Sequence, residues 1–257
     1  MAEGQMHPND TAEPTTTPAR RQQPVIAIDG PAGAGKSTMA AHLARRFGFL
    51  NLETGAMYRA LALKAIDHDL GFDEEQTLLD LAAHTRITLQ PQLEGNRVLL
   101  DGVDVSRRVR DKDVTVAASQ ISIHPHLRSW MVAQQRKLGE KGGVVMEGRD
   151  IGTAVFPDAE VKIFLDADPE VRGNRRYRQG PPDAPVTEAA IIKELKERDA
   201  RDRNRAESPL RPADDAVILD STGMTLEEVL TAAEQIVHSH LASTSNPTQA
   251  PVTGTNP

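Results

Sequence analysis

Residues 25–38 read VIAIDGPAGAGKST, an apolar run that leads into a glycine-rich turn. The segment from Gly30 to Ser37 matches the pattern G-x-x-x-x-G-K-[ST], in which glycines let backbone N–H groups close around a phosphate. A helical pattern with one apolar face follows directly and runs to Phe47. The order of strand, loop and helix is the one that a phosphate-binding loop (P-loop) requires.

The whole loop is predicted to hold the phosphates of ATP. The side chain of Lys36 can reach the β- and γ-phosphates, and the Ser37 hydroxyl is the predicted Mg²⁺ ligand. The first turn of the helix adds partial positive charge at the same place. The predicted ATP-binding residues are Gly30, Pro31, Ala32, Gly33, Ala34, Gly35, Lys36, Ser37 and Thr38. This motif alone does not distinguish a kinase from a GTPase or an ATP-driven motor.

Further apolar runs predict the other strands of a sheet, at 49–52, 143–146, 161–165 and 216–219. Uninterrupted runs of this length fit strands that are buried on both faces, and helical patterns separate them. We therefore predict an α/β fold of the P-loop NTPase type, with a five-stranded parallel sheet covered by helices. Short strand-like pieces and turn signals predict an antiparallel, β-rich insert at about 83–106.

Composition limits the domain count and the partners. The 257 residues are 39% hydrophobic, which suits one kinase-sized domain, predicted at 24–242. The tails 1–23 and 243–257 are polar and proline-rich and are predicted to be disordered. The net charge of −7 argues against nucleic acid as a partner, and no apolar run is long enough for a membrane span. Without cysteine or a signal-peptide core, the protein is predicted to be cytoplasmic.

An Arg stands beside an Asp at the predicted end of the 143–146 strand. Arg149 can hold a phosphate through two hydrogen bonds, and Asp150 can accept hydrogen bonds from an amine or hydroxyl. Ligands of open parallel sheets bind at this edge. A salt bridge within the loop is the alternative interpretation.

A basic helix is predicted late in the chain, with Arg198, Arg201, Asp202 and Arg205 on one stripe. Three guanidinium groups on one stripe repel each other unless an anion bridges them, and phosphoryl transfer needs such a clamp. The predicted catalytic side chains are Lys36, Arg149, Arg198 and Arg205. The alternative is a solvated helix with the ion pairs Glu194–Arg198, Glu197–Arg201 and Asp199–Arg203.

Two further stretches suggest ligand contacts. The residues at about 168–187 predict a small helical lid that closes over phosphates and excludes water, with a Pro-rich turn at 180–185. An ordinary flexible loop is the alternative interpretation. Because a lid needs room to move, we predict that the protein is a monomer. Thr54 can cap the following helix, so that Arg59, one turn on, reaches the same anion; a purely structural cap is the alternative. The arginines of the lid are Arg172, Arg175, Arg176 and Arg178.

Together these motifs resemble the bacterial cytidylate kinases (CMP/dCMP kinases) of the P-loop nucleoside monophosphate kinase family, from Val25 to about Leu241. The segments that carry the resemblance are 28–37, 54–59 (TGAMYR), 118–120 (ASQ), 148–153 (GRDIGT), 161–167 and 198–205 (RDARDRNR). The GRD and RDxRDxxR motifs are far more specific than the loop. Thr54 stands where Ser is common in the family, and Glu147 where Asp is common.

The resemblance implies transfer of the γ-phosphoryl group of MgATP to CMP or dCMP by direct in-line displacement, giving ADP and CDP or dCDP. It implies that the acceptor's phosphate contacts Thr54, Arg59, Arg149 and Arg205, that its cytosine edge contacts Ser119, Arg128 and Asp150, and that its sugar contacts Arg198 and Asp202. The rivals are a P-loop kinase for UMP, dTMP, AMP or shikimate, a nucleotide-dependent regulatory or nucleic-acid-binding switch, and an inactive homologue. The acidic net charge and the lack of a recognisable second Mg²⁺ acid argue against the switch.

Overall fold

The computed structural model describes residues 21–92, 95–180 and 186–244 of the chain. The predicted tails lie outside these ranges at 1–20 and 245–257, as does the Pro-rich part of the predicted lid turn at 181–185.

The elements alternate along the chain as the apolar runs and helical patterns predict. The strands are β1 (Val25–Asp29), β2 (Leu50–Glu53), β3 (Ile87–Pro91), β4 (Asn96–Leu100), β5 (Val103–Asp104), β6 (Val144–Glu147), β7 (Val161–Asp166) and β8 (Val217–Asp220). The α-helices are α1 (Lys36–Phe47), α2 (Thr54–Asp67), α3 (Glu75–Ala83), α4 (Lys112–Ile121), α5 (Pro125–Gly139), α6 (Pro169–Gln179), α7 (Glu188–Asn204) and α8 (Leu226–Thr244). A 3₁₀ turn at Arg108–Arg110 and a π-helical turn at Ile151–Val155 complete the set.

A five-stranded parallel sheet in the order β2-β6-β1-β7-β8 forms the centre of the fold, which confirms the predicted fold class. Its middle strand β1 separates two apolar cores. Val25 and Ala27 belong to the core under α2, α4 and α5, whereas Ile26 and Ile28 belong to the core under α1 and α8. This alternation explains why β1 is apolar from Val25 to Ile28 and becomes polar only at its last residue, Asp29, since both faces of a central strand are covered.

Three strands begin one residue later than predicted: β2, β6 and β8. For β6 the reason is the backbone of Gly143, whose φ of 69° lies outside the extended region. The register of β6 places it between β1 and β2, with Glu53 opposite Glu147. The carboxyl ends of β2 and β6 therefore lie side by side.

The predicted insert is an antiparallel sheet in the order β3-β4-β5. It is attached to the central sheet through Asn96, whose side chain accepts a hydrogen bond from the Glu53 amide at 2.8 Å and donates one to the Asn51 carbonyl at 2.7 Å. The 3₁₀ turn after β5 is held by Val109, which is buried in the core that contains α2. The insert thus has a defined position beside the end of β2.

The packed part of the chain is longer than the predicted 24–242. Arg21, assigned from the sequence to the N-terminal tail, forms ion pairs with Asp158 at 2.5 Å and Glu160 at 3.3 Å. At the other end α8 continues to Thr244. None of the helices within the described ranges has the length and apolar composition needed to cross a membrane.

Candidate active site

The glycine-rich loop joins β1 to α1, and Gly30 determines its path. A Cβ atom at this position would lie 2.0 Å from the Leu165 carbonyl oxygen of β7, and the φ of Gly30 is +147°. No other residue can make this close approach. Gly35 then precedes α1 in a left-handed conformation, and no side chain caps the helix. The first amides of α1 are left without intrahelical partners and suit an anion.

Lys36 is buried in the loop, where its Nζ donates a hydrogen bond to the Pro31 carbonyl at 2.7 Å. Burial, and then the charge of Arg149, lower the pKa of Lys36 to about 7. A bound anion would oppose both effects by supplying the negative charge that the pocket lacks. Lys36 is therefore arranged for an anionic ligand.

Asp29, at the end of β1, joins the loop to the segment after β6. Its carboxylate accepts hydrogen bonds from the amides of Ile151 at 2.8 Å and Gly152 at 2.7 Å. Burial raises the pKa of Asp29 to about 6 despite these two bonds. The carboxylate holds the π-helical turn, and with it the GRD segment, against the end of β1.

A cavity of about 210 Å³, here called the acceptor cavity, opens beside the loop. Lys36 and Ser37 form part of its lining. All nine residues predicted to bind the acceptor line it as well: Thr54, Arg59, Ser119, Arg128, Arg149, Asp150, Arg198, Asp202 and Arg205. Residues from the loop, α2, α4, α5, the segment after β6 and the region of α7 therefore meet at the carboxyl edge of the sheet.

One end of the acceptor cavity carries a buried ion pair. Arg128 donates a hydrogen bond to the Asp150 carboxylate, and a second one to the Ser122 carbonyl at 3.1 Å. The guanidinium lies 5.6 Å from the centre of the Tyr58 ring, and burial raises the pKa of Tyr58 to about 12. Ser119, also buried, lines the same cavity. This end offers one carboxylate acceptor and one guanidinium donor within an enclosed space.

The other end of the cavity is rich in arginine. Arg149 Nε donates to Asp202 at 2.9 Å, and Arg205 lies 3.9 Å from the same carboxylate. Burial, and then the charge of Arg149, lower the pKa of Arg198 to about 10. Burial alone would raise the pKa of Asp202, but the surrounding arginines outweigh it and hold that pKa below its ordinary value. Both shifts indicate an excess of positive charge.

Unpartnered polar atoms concentrate at the acceptor cavity. Within the described residues, ten buried side-chain nitrogen or oxygen atoms have no hydrogen-bond partner. Seven of the ten belong to residues that line this cavity: Tyr58 Oη, Arg59 Nε, Ser119 Oγ, Arg128 Nε, Glu147 Oε1, Arg198 Nε and Arg205 Nη2. Because buried polar groups are normally hydrogen-bonded, this concentration indicates a site built for a polar ligand.

The predicted arginine stripe needs correction. Arg201 is exposed and lines neither the acceptor cavity nor the cavity on the other side of the loop. α7 ends at Asn204, so Arg205 reaches the cavity from the residue after the helix. The ion pairs predicted for a solvated helix are also not the ones observed. Asp199 pairs with Arg172 of α6 and not with Arg203, and Glu197 lies 3.9 Å from Lys193. Packing of α7 on α6 decides which face points inward.

The four arginines assigned to the lid have different roles. Arg172 is fully buried and donates to the Ala32 carbonyl at 2.8 Å and to Asp199 at 2.5 Å. Arg175 donates to the Ser221 carbonyl at 2.7 Å. Arg176 is exposed and lines the cavities on both sides of the loop, whereas the exposed Arg178 lines neither. Arg172 thus ties α6 to the loop and to α7, and is not a mobile cation.

Some lining residues were not identified from the sequence. Tyr58 is one of them, and its position four residues after Thr54, on the same face of α2, is the signal that indicates it. Glu53 and Glu147 end neighbouring strands, and no local pattern shows that they face each other. Burial and then the charge of Glu53 raise the pKa of Glu147, while Lys36 and the Ser37 hydroxyl partly offset this.

A second cavity, here called the donor cavity, measures about 700 Å³ on the other side of the loop. The loop and the start of α1, from Gly33 to Met39, form its floor. Met224 and the apolar face of α8 line one wall, and Arg176 and Gln179 of α6 line the rim. The predicted loop residues from Gly33 to Thr38 line this cavity, whereas Gly30, Pro31 and Ala32 do not.

Comparison with known proteins agrees with this geometry. The sequence model of the family described as "Cytidylate kinase" matches residues 26–239. The cytidylate kinase of Aeromonas salmonicida is 48% identical over 80% of this chain and 90% of its own length, and that of Solibacter usitatus is 46% identical over 87% and 96%. A shikimate kinase from Acinetobacter baumannii in complex with shikimate covers 88% of this chain and 97% of its own, with 16% identity and a TM-score of 0.40, too low to add to the assignment. The chain belongs to the cytidylate kinase family.

Proposed function

We propose that this nucleoside monophosphate kinase transfers the γ-phosphoryl group of ATP directly to the phosphate of CMP or dCMP, giving ADP and CDP or dCDP. Family membership supports the reaction and the acceptor class. The observation that supports the residue assignments is the set of seven unpartnered polar atoms around the acceptor cavity.

The buried Arg128–Asp150 ion pair is proposed to recognise the base of the acceptor. Cytosine carries an amino donor at N4 beside an acceptor at N3, and a carboxylate is the acceptor that pairs with the N4 group. Asp150 and Arg128 offer the complementary acceptor and donor, with the Ser119 hydroxyl beside them. Uracil would place its O4 oxygen against the Asp150 carboxylate. Two hydrogen-bond acceptors would then face each other in a buried site without a shared proton, which disfavours UMP.

The arginine-rich end is the proposed site of the acceptor's phosphate. Arg59, Arg149 and Arg205 would surround it, and α2, which begins at Thr54, adds its helix N-terminus. The predicted cap by the Thr54 side chain is not formed, since its hydroxyl donates to the Glu147 carbonyl at 2.7 Å. We assign Arg198 and Asp202 to the sugar. The acceptor phosphate is the nucleophile and is already ionised at neutral pH, so transfer needs no general base.

Catalysis is then positioning and charge neutralisation. Lys36 lines both cavities and can follow the γ-phosphoryl group from the donor to the acceptor. Arg149, Arg198 and Arg205 stabilise the charge that spreads over the transferring oxygens. The two cavities meet at the loop, which places donor and acceptor phosphates on opposite sides of one lysine and suits an in-line displacement.

The residues present also fit a magnesium ion. Ser37 and Glu147 line the acceptor cavity together, and Glu147 Oε1 is buried without a hydrogen-bond partner. A hydroxyl and a carboxylate are oxygen ligands of the kind that Mg²⁺ accepts alongside phosphates. When bound with ATP, the ion neutralises charge on the phosphates. Glu147 is thus the second acid that the sequence did not reveal.

The magnesium assignment is tested by Mn²⁺ binding in the presence of ADP, followed by electron paramagnetic resonance. Glu147→Gln keeps the size of the side chain and removes its charge, so we expect weaker Mn²⁺ binding. Glu160→Gln, which directly precedes β7 at the amino edge of the sheet and pairs with Arg21, is the matched control. Equal Mn²⁺ affinity in Glu147→Gln and the unsubstituted protein would remove Glu147 from the site.

The function is tested by ADP release with MgATP and one acceptor at a time: CMP, dCMP, UMP, dTMP, AMP and shikimate. We expect strong turnover with CMP and dCMP alone. Turnover with a different acceptor would overturn the roles of Asp150 and Arg128, and no turnover with any of the six would overturn the proposal. The cytoplasmic location and the monomeric state stay predictions from the sequence.

A further inference from the structure

An arginine of the insert side reaches the donor cavity. Arg110 ends the 3₁₀ turn that follows β5, and its side chain lines the donor cavity but not the acceptor cavity. The backbone of this turn is held in place because the neighbouring Val109 is buried. The guanidinium lies close to the β3–β4 turn, since a Cβ on Gly95 would be 3.5 Å from Arg110 Nη2.

The present partner of Arg110 is weak. Its Nη2 lies 3.9 Å from Glu53 Oε2, beyond hydrogen-bond distance, and 60% of its side chain is exposed. The Glu53 carboxylate already accepts a hydrogen bond from Arg59 through its other oxygen. Exposed ion pairs at this separation contribute little to stability. Arg110 can therefore exchange this contact for a stronger anion at small cost.

The opposite rim of the donor cavity carries Arg176, and the floor between the two arginines is the phosphate-binding loop. We propose that Arg110 is a donor-binding residue, and that its guanidinium leaves Glu53 to bind the terminal phosphates of ATP from the insert side. This inference rests on the proposed ATP site. A guanidinium binds phosphate oxygens through two parallel hydrogen bonds, which a lysine cannot do.

This role would connect the two sides of the active site. Glu53 holds Arg59, which lines the acceptor cavity, and approaches Arg110, which lines the donor cavity. When ATP draws Arg110 away, the Glu53 carboxylate keeps Arg59 as its remaining partner. The insert then contributes to donor binding although it lies beside the acceptor side of the sheet.

The test compares Arg110→Ala with Arg107→Ala, an exposed arginine at the start of the same turn that lines neither cavity. Titration calorimetry measures the dissociation constants of ATP, ADP and CMP. For Arg110→Ala we expect ATP binding to weaken by about tenfold to a hundredfold, as for a lost charge-assisted hydrogen bond, with a smaller loss for ADP. CMP binding should stay within about twofold, and Arg107→Ala should behave as the unsubstituted protein.

A second variant distinguishes the positive charge of Arg110 from the two hydrogen bonds that its guanidinium can donate. Arg110→Lys keeps the charge but not the two-armed geometry, so its ATP affinity should lie between those of Arg110→Ala and the unsubstituted protein. ATP affinity in Arg110→Ala equal to that in Arg107→Ala would overturn the inference. An equal loss for ATP, ADP and CMP would also overturn it, because that pattern indicates structural damage. Failure of the unsubstituted protein to bind ATP would instead overturn the proposed donor site.

Discussion

The two cavities beside the loop differ in size and in the chemistry of their walls. The acceptor cavity, at about 210 Å³, is lined mostly by charged and hydroxyl side chains that the core holds in place. The donor cavity, at about 700 Å³, combines the backbone of the loop with apolar side chains of α8. The smaller site can discriminate between ligands by individual hydrogen bonds, whereas the larger one relies on phosphate and apolar contacts that many nucleotides share.

The contrast follows from the elements that build each side. Most acceptor side chains come from the starts of α2 and α5, the last turn of α4 and the segment that begins at the end of β6, all packed on one core, and the others come from α7 and the residue after it. Donor side chains come from α8, which packs on the other face of the sheet, from α6, which packs on α7, and from Arg110. Side-chain substitutions should therefore change acceptor recognition more than donor recognition.

The largest effect is expected at the residue that both cavities share. Lys36→Ala removes the cation between donor and acceptor, and kcat should fall by about 10²- to 10³-fold, as for loss of a preorganised electrostatic contact. The measurement is ADP release at saturating ATP and CMP. Lys193→Ala, on the exposed face of α7, is the control and should keep full activity. A decrease of less than tenfold would show that Lys36 does not act on the transferred group.

The next effect concerns acceptor discrimination. Asp150→Asn leaves Arg128 without its carboxylate and allows the amide nitrogen to donate to O4 of uracil. The ratio of kcat/KM for CMP over UMP should fall by about 10- to 100-fold, while ATP binding stays constant. Asp214→Asn, which is fully exposed, serves as the control. Thermal unfolding must accompany the assay, since breaking a buried pair also costs stability. An unchanged ratio would remove Asp150 from base recognition.

A third prediction concerns Asp29, which connects the end of β1 to the π-helical turn after β6. The pKa of Asp29 is about 6 in the folded protein, against 3.8 as its ordinary value, so the folded state binds the extra proton between these pH values. Its contribution to the free energy of unfolding is therefore fully present below about pH 4 and is lost as the pH rises through 6. Relative to Asp29→Asn, the unsubstituted protein should lose roughly 2–3 kcal/mol between pH 4 and 7.

Urea unfolding of both proteins at several pH values measures this difference. Asp215→Asn provides a control of opposite sign. The hydrogen bond from Lys162 lowers the pKa of Asp215, so the contribution of that group is present at neutral pH and is lost on acidification. A difference between Asp29→Asn and the unsubstituted protein that stays constant with pH would contradict the burial argument for Asp29.

The smallest effect is expected in the wall of the donor cavity. Met224→Ala removes part of an apolar surface but keeps the backbone carbonyl that faces Arg175. The KM for ATP should rise by about three- to tenfold, as for the loss of a few buried methylene groups, with kcat and the KM for CMP unchanged. Ile218→Ala, on the exposed edge strand β8, should have no effect. A large decrease in kcat would show that the donor wall also positions the reacting groups.

Much of the fold could be predicted because its signals are local. The apolar run before Gly30 and the helical pattern that ends at Phe47 define one strand and one helix from a short, continuous stretch of sequence. The short pieces between 83 and 106 were predicted as antiparallel strands because turn signals separate them. The acceptor residues were named chiefly by resemblance to a family, and the structure brings all nine to one cavity.

Arg172 and Arg201 show why the rest could not be predicted. Both arginines belong to basic helical segments; the composition around Arg172 and the helical spacing of Arg201 suggested contact with phosphates. Packing of α6 on α7 instead buries Arg172 against Asp199 and leaves Arg201 in solvent. A helical stripe can be read from spacing, but the face that turns inward depends on the neighbouring helix.

The loop, the alternation of strands and helices, and the family follow from the sequence alone, because glycine spacing, apolar periodicity and short motifs are properties of neighbouring residues. The pairing of Glu53 with Glu147 depends on the tertiary structure, because β6 is inserted between β1 and β2 although 90 residues of chain separate β2 from β6. The arginines that face the ligand sites are likewise set by helix packing. A buried arginine without a full set of partners indicates a ligand site, whereas an exposed arginine is satisfied by water.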